Sequence, residues 1–163
     1  MRIAFDQMPD HARLWVYQAN RPLTASEEAD IRLRLDSAFD DWAAHGQPLT
    51  NAVEILAHRV VLLAVDEQAY AASGCSIDAS TRIIREAGTA HSLDFFDRSV
   101  LFETADGISA VDALKAKAAV LDGRISPDTN IYNSQVKTVG EYRTSWLLPA
   151  AESWLKRFFT PVA

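Results

Sequence analysis

The chain has one cysteine, Cys75, in 163 residues, so it cannot close an internal disulfide. That suits a reducing compartment, and the expected location is the cytoplasm. No apolar run reaches the roughly 18 residues that a spanning helix needs, so no membrane partner is expected. The opening residues Met1-Arg2-Ile3-Ala4-Phe5-Asp6 lack the apolar stretch of a signal peptide. Lysine is confined to Lys115, Lys117, Lys137 and Lys156. None of them follows a G-x-x-x-x-G-K-[ST] loop, where backbone N–H groups and a lysine would together hold phosphates, so P-loop ATP hydrolysis is excluded. The histidines His11, His45, His58 and His91 are scattered, with no pair at metal-ligand spacing. With one cysteine that rules out structural zinc, and the EF-hand and H-E-x-x-H patterns are absent. Neither a metal nor a cofactor is expected. The net charge of −6 gives no general attraction for a phosphate backbone, so nucleic acid is not an expected partner. Trp15 and Tyr17 share one face of a strand, as base-stacking aromatics would, but no basic-aromatic run accompanies them.

What is present fits a single α+β domain over residues 1–163, long enough to bury a core without staples. Arg13 to Ala19 alternates and is rich in β-prone residues, which predicts a first strand. Thr24 to His45 is the clearest helix: Thr24 or Ser26 can cap it, Glu27 and Glu28 suit its first turn, and Ile31, Leu35, Phe39 and Trp42 share one face. Gly46 is expected to end that helix as a C′ residue. Ala52–Leu56 and Arg59–Val65 read as a hairpin turning at Ala57-His58, with the continuously apolar Val60–Val65 as a central strand. Asp78 is expected to cap a helix from Ala79 to about Ala87, stopped by Gly88. Ser99–Glu103 is a fourth strand, and Asp106-Gly107 turns into a short fifth near Ile108.

The order strand, helix, strand, strand, helix, strand over residues 13–104 is that of a ferredoxin-like split βαβ core, βαββαβ. Residues 105–163 read as a helix-rich C-terminal extension packed on that core. In it Ser109 and Asp112 cap a helix to Leu121 with Gly123 at C′, and Asn130–Ser134 forms a short strand. Thr138 and Glu141 form a T-x-x-E capping box, and Pro149 starts a last helix bearing Trp154, Leu155, Phe158 and Phe159. That aromatic helix is expected to cover the sheet, the alternative being that it docks on a second subunit in a symmetric homodimer.

Several segments, among them Gln7-Met8-Pro9-Asp10-His11-Ala12-Arg13-Leu14-Trp15-Val16-Tyr17, Trp42 to Leu49, Ala72 to Asp78, Asp94 to Arg98 and Ser153 to Phe158, span nearly the whole chain. Together they resemble an uncharacterised bacterial family best known from Bacteroidetes. Members often carry the label "ABC transporter ATPase". The absent P-loop and the shortness of the chain argue against the activity in that label.

The stretch Val65 to Asp78 is the first place to look for a site. It holds the only cysteine, three carboxylates and two serines, and connections of about a dozen residues are often functional. One reading makes Asp66, Glu67, Ser73, Gly74, Ser76 and Asp78, with His45, the lining of a ligand site in a non-enzymatic domain that binds an unidentified small molecule or protein. The other makes Cys75 a thiol nucleophile near a helix start, with His45 or His58 as its base. The plain alternatives are a small buried cysteine in a tight loop, and carboxylates that serve as a helix cap and a solvated strand end. Oxygen ligation of a cation by Asp66, Glu67 and Asp78 is chemically open, but their spacing does not demand it.

Overall fold

The computed structural model describes residues 1–159. Thr160–Ala163, the end of the expected extension, lie outside them. In chain order the elements are β1 (Arg13–Gln18), α1 (Ala25–Asp40), β2 (Ala43–Ala44), β3 (Gln47–Pro48), β4 (Thr50–Leu56), β5 (Val60–Asp66) and α2 (Gly74–Thr89). They continue with β6 (Val100–Thr104), β7 (Gly107–Val111), α3 (Ala116–Leu121), β8 (Asn130–Tyr132), α4 (Val139–Ser145) and β9 (Leu147–Pro149). The fold class is α+β. Among the described residues no helix is long and apolar enough to cross a membrane. The chain forms two compact units, one of Met1–Asp97 with Val136–Tyr142, the other of Arg98–Gln135 with the chain from Arg143 onward.

In the first unit a three-stranded antiparallel sheet has the order β1-β5-β4. β5 is central, and Val60 to Val65 are fully buried, as a continuously apolar strand between two others should be. Trp15, Tyr17, Val53, Ile55, Val61, Leu63 and Val65 face the helices, and meet Ile31, Leu35 and Phe39 of α1 and Ile84 and Ala87 of α2. The aromatics of β1 are therefore core residues. Tyr17 is buried against Phe96, and Trp15 meets Trp42 edge to face. Thr24 caps α1: its side chain accepts from the Glu27 N–H, and the Glu27 carboxylate accepts from the Thr24 N–H. The β4–β5 hairpin turns through Ala57 and His58 at φ 53° and 54°, closed by the Arg59 N–H on the Leu56 carbonyl. A non-glycine pair here accepts left-handed strain that Asn-Gly would avoid.

Three expectations for this unit are corrected. First, the ferredoxin-like core is not formed. β1, α1, β4 and β5 have the connectivity of its first half, but β6 does not return beside β1 and joins a second sheet of order β7-β6-β8-β9. The edge of β1 carries only isolated bridges, Arg13 with Thr138 and Gln18 with Phe96. The adjacent hairpin partner explains the departure: β6 pairs with β7 from Val100↔Val111 to Thr104↔Gly107, and Val100 and Phe102 enter a core with Ile131 and Leu155. The expected 13–104 core thus loses its last strand to the second unit. Second, α1 stops at Asp40 and not near His45. His45 and Gly46, at φ 50° and 77°, are the two-residue turn between β2 and β3. Gly46 serves a hairpin and not a helix end. Third, Asp78 caps nothing, because α2 starts four residues earlier at Gly74. The Ser73 side chain accepts from the Ser76 N–H at 3.1 Å, and Ser76 Oγ accepts from the Ser73 N–H at 2.7 Å. Gly88 likewise lies inside α2. A Cβ there would come within 2.7 Å of the Leu93 carbonyl oxygen and 2.9 Å of the Phe95 ring, so close approach and not helix termination requires the glycine.

The second unit is sheet-based and not the helix-rich extension expected. β8 pairs with β6 and with β9, and α3 is a helix of six residues. Ser109 is a β7 residue opposite Phe102, so only Asp112 caps, accepting from the Leu114 N–H at 2.8 Å. Gly123, at φ 85°, follows α3 as a C′ glycine should. Pro149 ends β9 and precedes a 3-10 helix as its N-cap residue, in place of the first position of a longer helix. The chain then forms two short 3-10 helices, Ala150–Glu152 and Trp154–Phe158. From these, Leu155 is fully buried with Val100, Phe102, Ala116, Val120 and Ile131, and Phe158 and Phe159 pack at the edge of that core. In the first unit's second segment, the Thr138 side chain accepts from the Glu141 N–H at 3.1 Å, the expected cap of α4.

Candidate functional site

The connection after β5 is shorter than the sequence reading made it, because α2 claims Gly74 to Asp78. Its ends are tied down. Asp66 accepts from the Gln68 N–H at 3.0 Å and lies 3.2 Å from His11 Nε2. Glu67 accepts from the Ala72 N–H at 2.9 Å and faces Arg13, which lies over the Trp15 ring. Ser73 and Ser76 are consumed by the helix cap, and Ser76 is buried beneath the Trp42 indole, which donates to its carbonyl at 2.8 Å. Gly74 has open space at its Cα, and Asp78 is exposed on the first turns of α2.

Cys75 is exposed at the second position of α2, with no hydrogen bond or ion pair to another described residue. It is not the small buried cysteine of the plain reading. The Trp42–Ser76 bond, with β2 lying against α2, brings the hairpin that bears His45 to the same helix, yet no hydrogen bond joins His45 to Cys75. His58 is held elsewhere, 2.7 Å from Glu28, and His91 lies 2.6 Å from Asp30. Asp30 also accepts from Arg34, and these hydrogen bonds, from Arg34 first and then His91, hold its carboxyl below the usual range. Three of the four histidines thus lie within hydrogen-bond distance of a carboxylate. Among the described residues no group of three His, Cys, Asp or Glu side chains could hold a metal ion.

A second place was not found from sequence. In the second unit a cleft of about 230 Å³ opens beside β8 and β9 and the turn after Pro149. Tyr132, Ser134, Gln135, Glu152 and Trp154 line it, over a floor that includes the buried Ile131. Trp154 is 38% exposed, an unusual position for a large indole, and meets Phe158 edge to face. The geometry around it is built. Ser153 Oγ donates to the Ala150 carbonyl at 2.7 Å and accepts from the Leu155 N–H, which fixes the turn carrying Glu152 and Trp154. Asn133 donates to the Ser145 carbonyl at 3.1 Å and accepts from the Gln135 N–H, which fixes the opposite wall. Tyr132 packs on Trp146 at 5.1 Å. Ser134, Gln135 and Glu152, by contrast, make no side-chain hydrogen bond or ion pair with another described residue. The sequence carries one usable signal, the aromatic of Ser153-Trp154-Leu155, which helical spacing places on a helix face. Comparison with known family models, with curated proteins and with solved structures finds no match.

Proposed function

We propose that this protein is a binding domain for a small polar ligand, and that the cleft of the second unit is its site. The observation that carries the reading is the division of labour among the cleft's polar groups. Asn133 and Ser153 are spent on holding backbone, whereas Ser134, Gln135 and Glu152 point no hydrogen bond at the protein. A concave site with a few converging polar groups and an aromatic wall is how small-molecule sites are built. Among the described residues Glu152 is the one carboxylate in its lining, which includes no histidine or cysteine, and this supports a binding role over thiol or imidazole chemistry.

The loop after β5 supports this function less well, because most of its polar groups already have partners inside the protein. Amide chemical-shift mapping with a small-fragment library separates the two places. Saturable shifts at residues 132–135 and 152–154 are expected. Shifts confined to residues 66–78, or none at either place, would overturn the assignment.

A further inference from the structure

Resting on that reading of the cleft, we infer that its ligand is a neutral polyhydroxylated ring, a single monosaccharide unit. The lining has one exposed indole and three uncommitted hydrogen-bonding side chains of mixed kind. Ser134 both donates and accepts, the Gln135 amide donates twice and accepts, and the Glu152 carboxylate accepts only. A pyranose answers all of these. Its apolar C–H face covers an indole, and its rim of hydroxyls each donates and accepts.

The other ligand classes fit less well. An anion would meet the Glu152 carboxylate, and the cation beside the cleft, Arg157, is not among the described lining residues and is already held over the Trp154 and Phe158 rings. A small organic cation would have Glu152 and Trp154, but the guanidinium of Arg157 already lies 5.6 Å from the Trp154 ring and 4.9 Å from Phe158. That positive charge beside the indole disfavours a second one. A large apolar ligand would leave Ser134, Gln135 and Glu152 desolvated and unpaired. The cleft, at about 230 Å³, is below the range of sites for drug-sized molecules and matches one ring. Hydrolysis of a glycosidic bond generally takes two flanking carboxyl groups, and among the described residues the lining holds one, which favours retention of a sugar over its cleavage.

The test is amide chemical-shift titration of the full chain with the methyl glycosides of glucose, galactose and mannose, and with choline chloride and sodium acetate as charged controls. At least one glycoside is expected to shift residues 132–135 and 152–154 saturably, with a dissociation constant on the order of millimolar for so few contacts. Trp154→Ala should weaken it about tenfold. Trp154→Phe, which keeps an aromatic face, should retain most of the affinity, and Glu152→Gln should weaken it less than Trp154→Ala. Binding of choline or acetate without any glycoside would overturn the sugar and leave the cleft standing as the site. Glycoside shifts outside these residues, or glycoside binding unchanged in Trp154→Ala, would overturn the inference. Silence of all five probes would overturn it too, while fragment mapping decides separately whether the cleft binds at all.

Discussion

In the first unit β4 and β5 are seven residues long and α1 and α2 sixteen, while in the second β8 and β9 have three residues and α3 has six. Length decides how a core is assembled. A sixteen-residue helix presents Ile31, Leu35 and Phe39 as a continuous stripe, so many residues share the burial. A three-residue strand contributes one inward side chain, Ile131 in β8, and the gap is closed by single large groups arriving from irregular backbone, Leu155 above all. The first unit is built by repetition and the second by individual insertions. The candidate cleft lies in the second kind of architecture, where Ser134, Gln135 and Glu152 are exposed and make no side-chain bond to another described residue.

The largest effects test that contrast directly. Phe39→Ala should cost about 3–5 kcal/mol and Leu155→Ala about 2–5 kcal/mol, because both side chains are fully buried. Urea unfolding gives the magnitudes and amide exchange the location. Loss of protection should centre on α1 and β5 for the first variant, and on β6 and α3 for the second. If Leu155→Ala left β6 and α3 as protected as before, the second core would not depend on that insertion. Gly88→Ala should cost about 1–3 kcal/mol, since the new methyl meets a carbonyl oxygen and a ring edge inside contact distance. A left-handed helix-terminating glycine would cost about 1–2 kcal/mol without disturbing its neighbours, so amide shifts at Leu93 and Phe95 in the variant distinguish close approach from helix termination.

Ala57→Gly should raise stability by about 0.5–1 kcal/mol, the relief of one left-handed alanine less the added freedom of the unfolded chain. An unchanged or lowered midpoint would mean that the turn is not strained. The smallest effect is electrostatic. Two hydrogen bonds from Arg21, and next the Thr24 N–H, hold the Glu27 carboxyl at about 2, against an ordinary 4.5. A depressed carboxyl stabilises the fold above its unfolded value and loses that contribution as pH falls, here between about 4.5 and 2. Glu27→Gln should flatten the acid limb of the stability profile in that window; an acid limb identical to that of the parent would show that the pair contributes nothing.

Residue pattern made the first unit legible up to its last element. The alternation of Arg13 to Gln18, the stripe of α1, the apolar run of β5 and the hairpin at Ala57-His58 all appear where the sequence places them. The errors there have local causes. A serine at the third helical position closes the cap of α2 in place of the usual Glu or Gln, so the pattern points to Asp78 and not to Ser73. Gly46 and Gly88 read as helix stops because a glycine's identity does not say whether a turn or a close approach demands it. The candidate site was less legible. Asp66, Glu67, Ser73 and Ser76 look available in sequence and are bonded internally in the fold, whereas Gln135 and Glu152 look unremarkable and are left open.

By itself the sequence determined the α+β class, the caps at Thr24 and Thr138, and the central place of β5, because each rests on neighbours within a few residues. Only the tertiary structure decided which sheet β6 joins, which serines and carboxylates remain free, and where a cleft opens. Those outcomes depend on strand partners and buried contacts distant in the chain, such as Phe102 with Ile131 and Leu155 with Val100, and no local pattern encodes them.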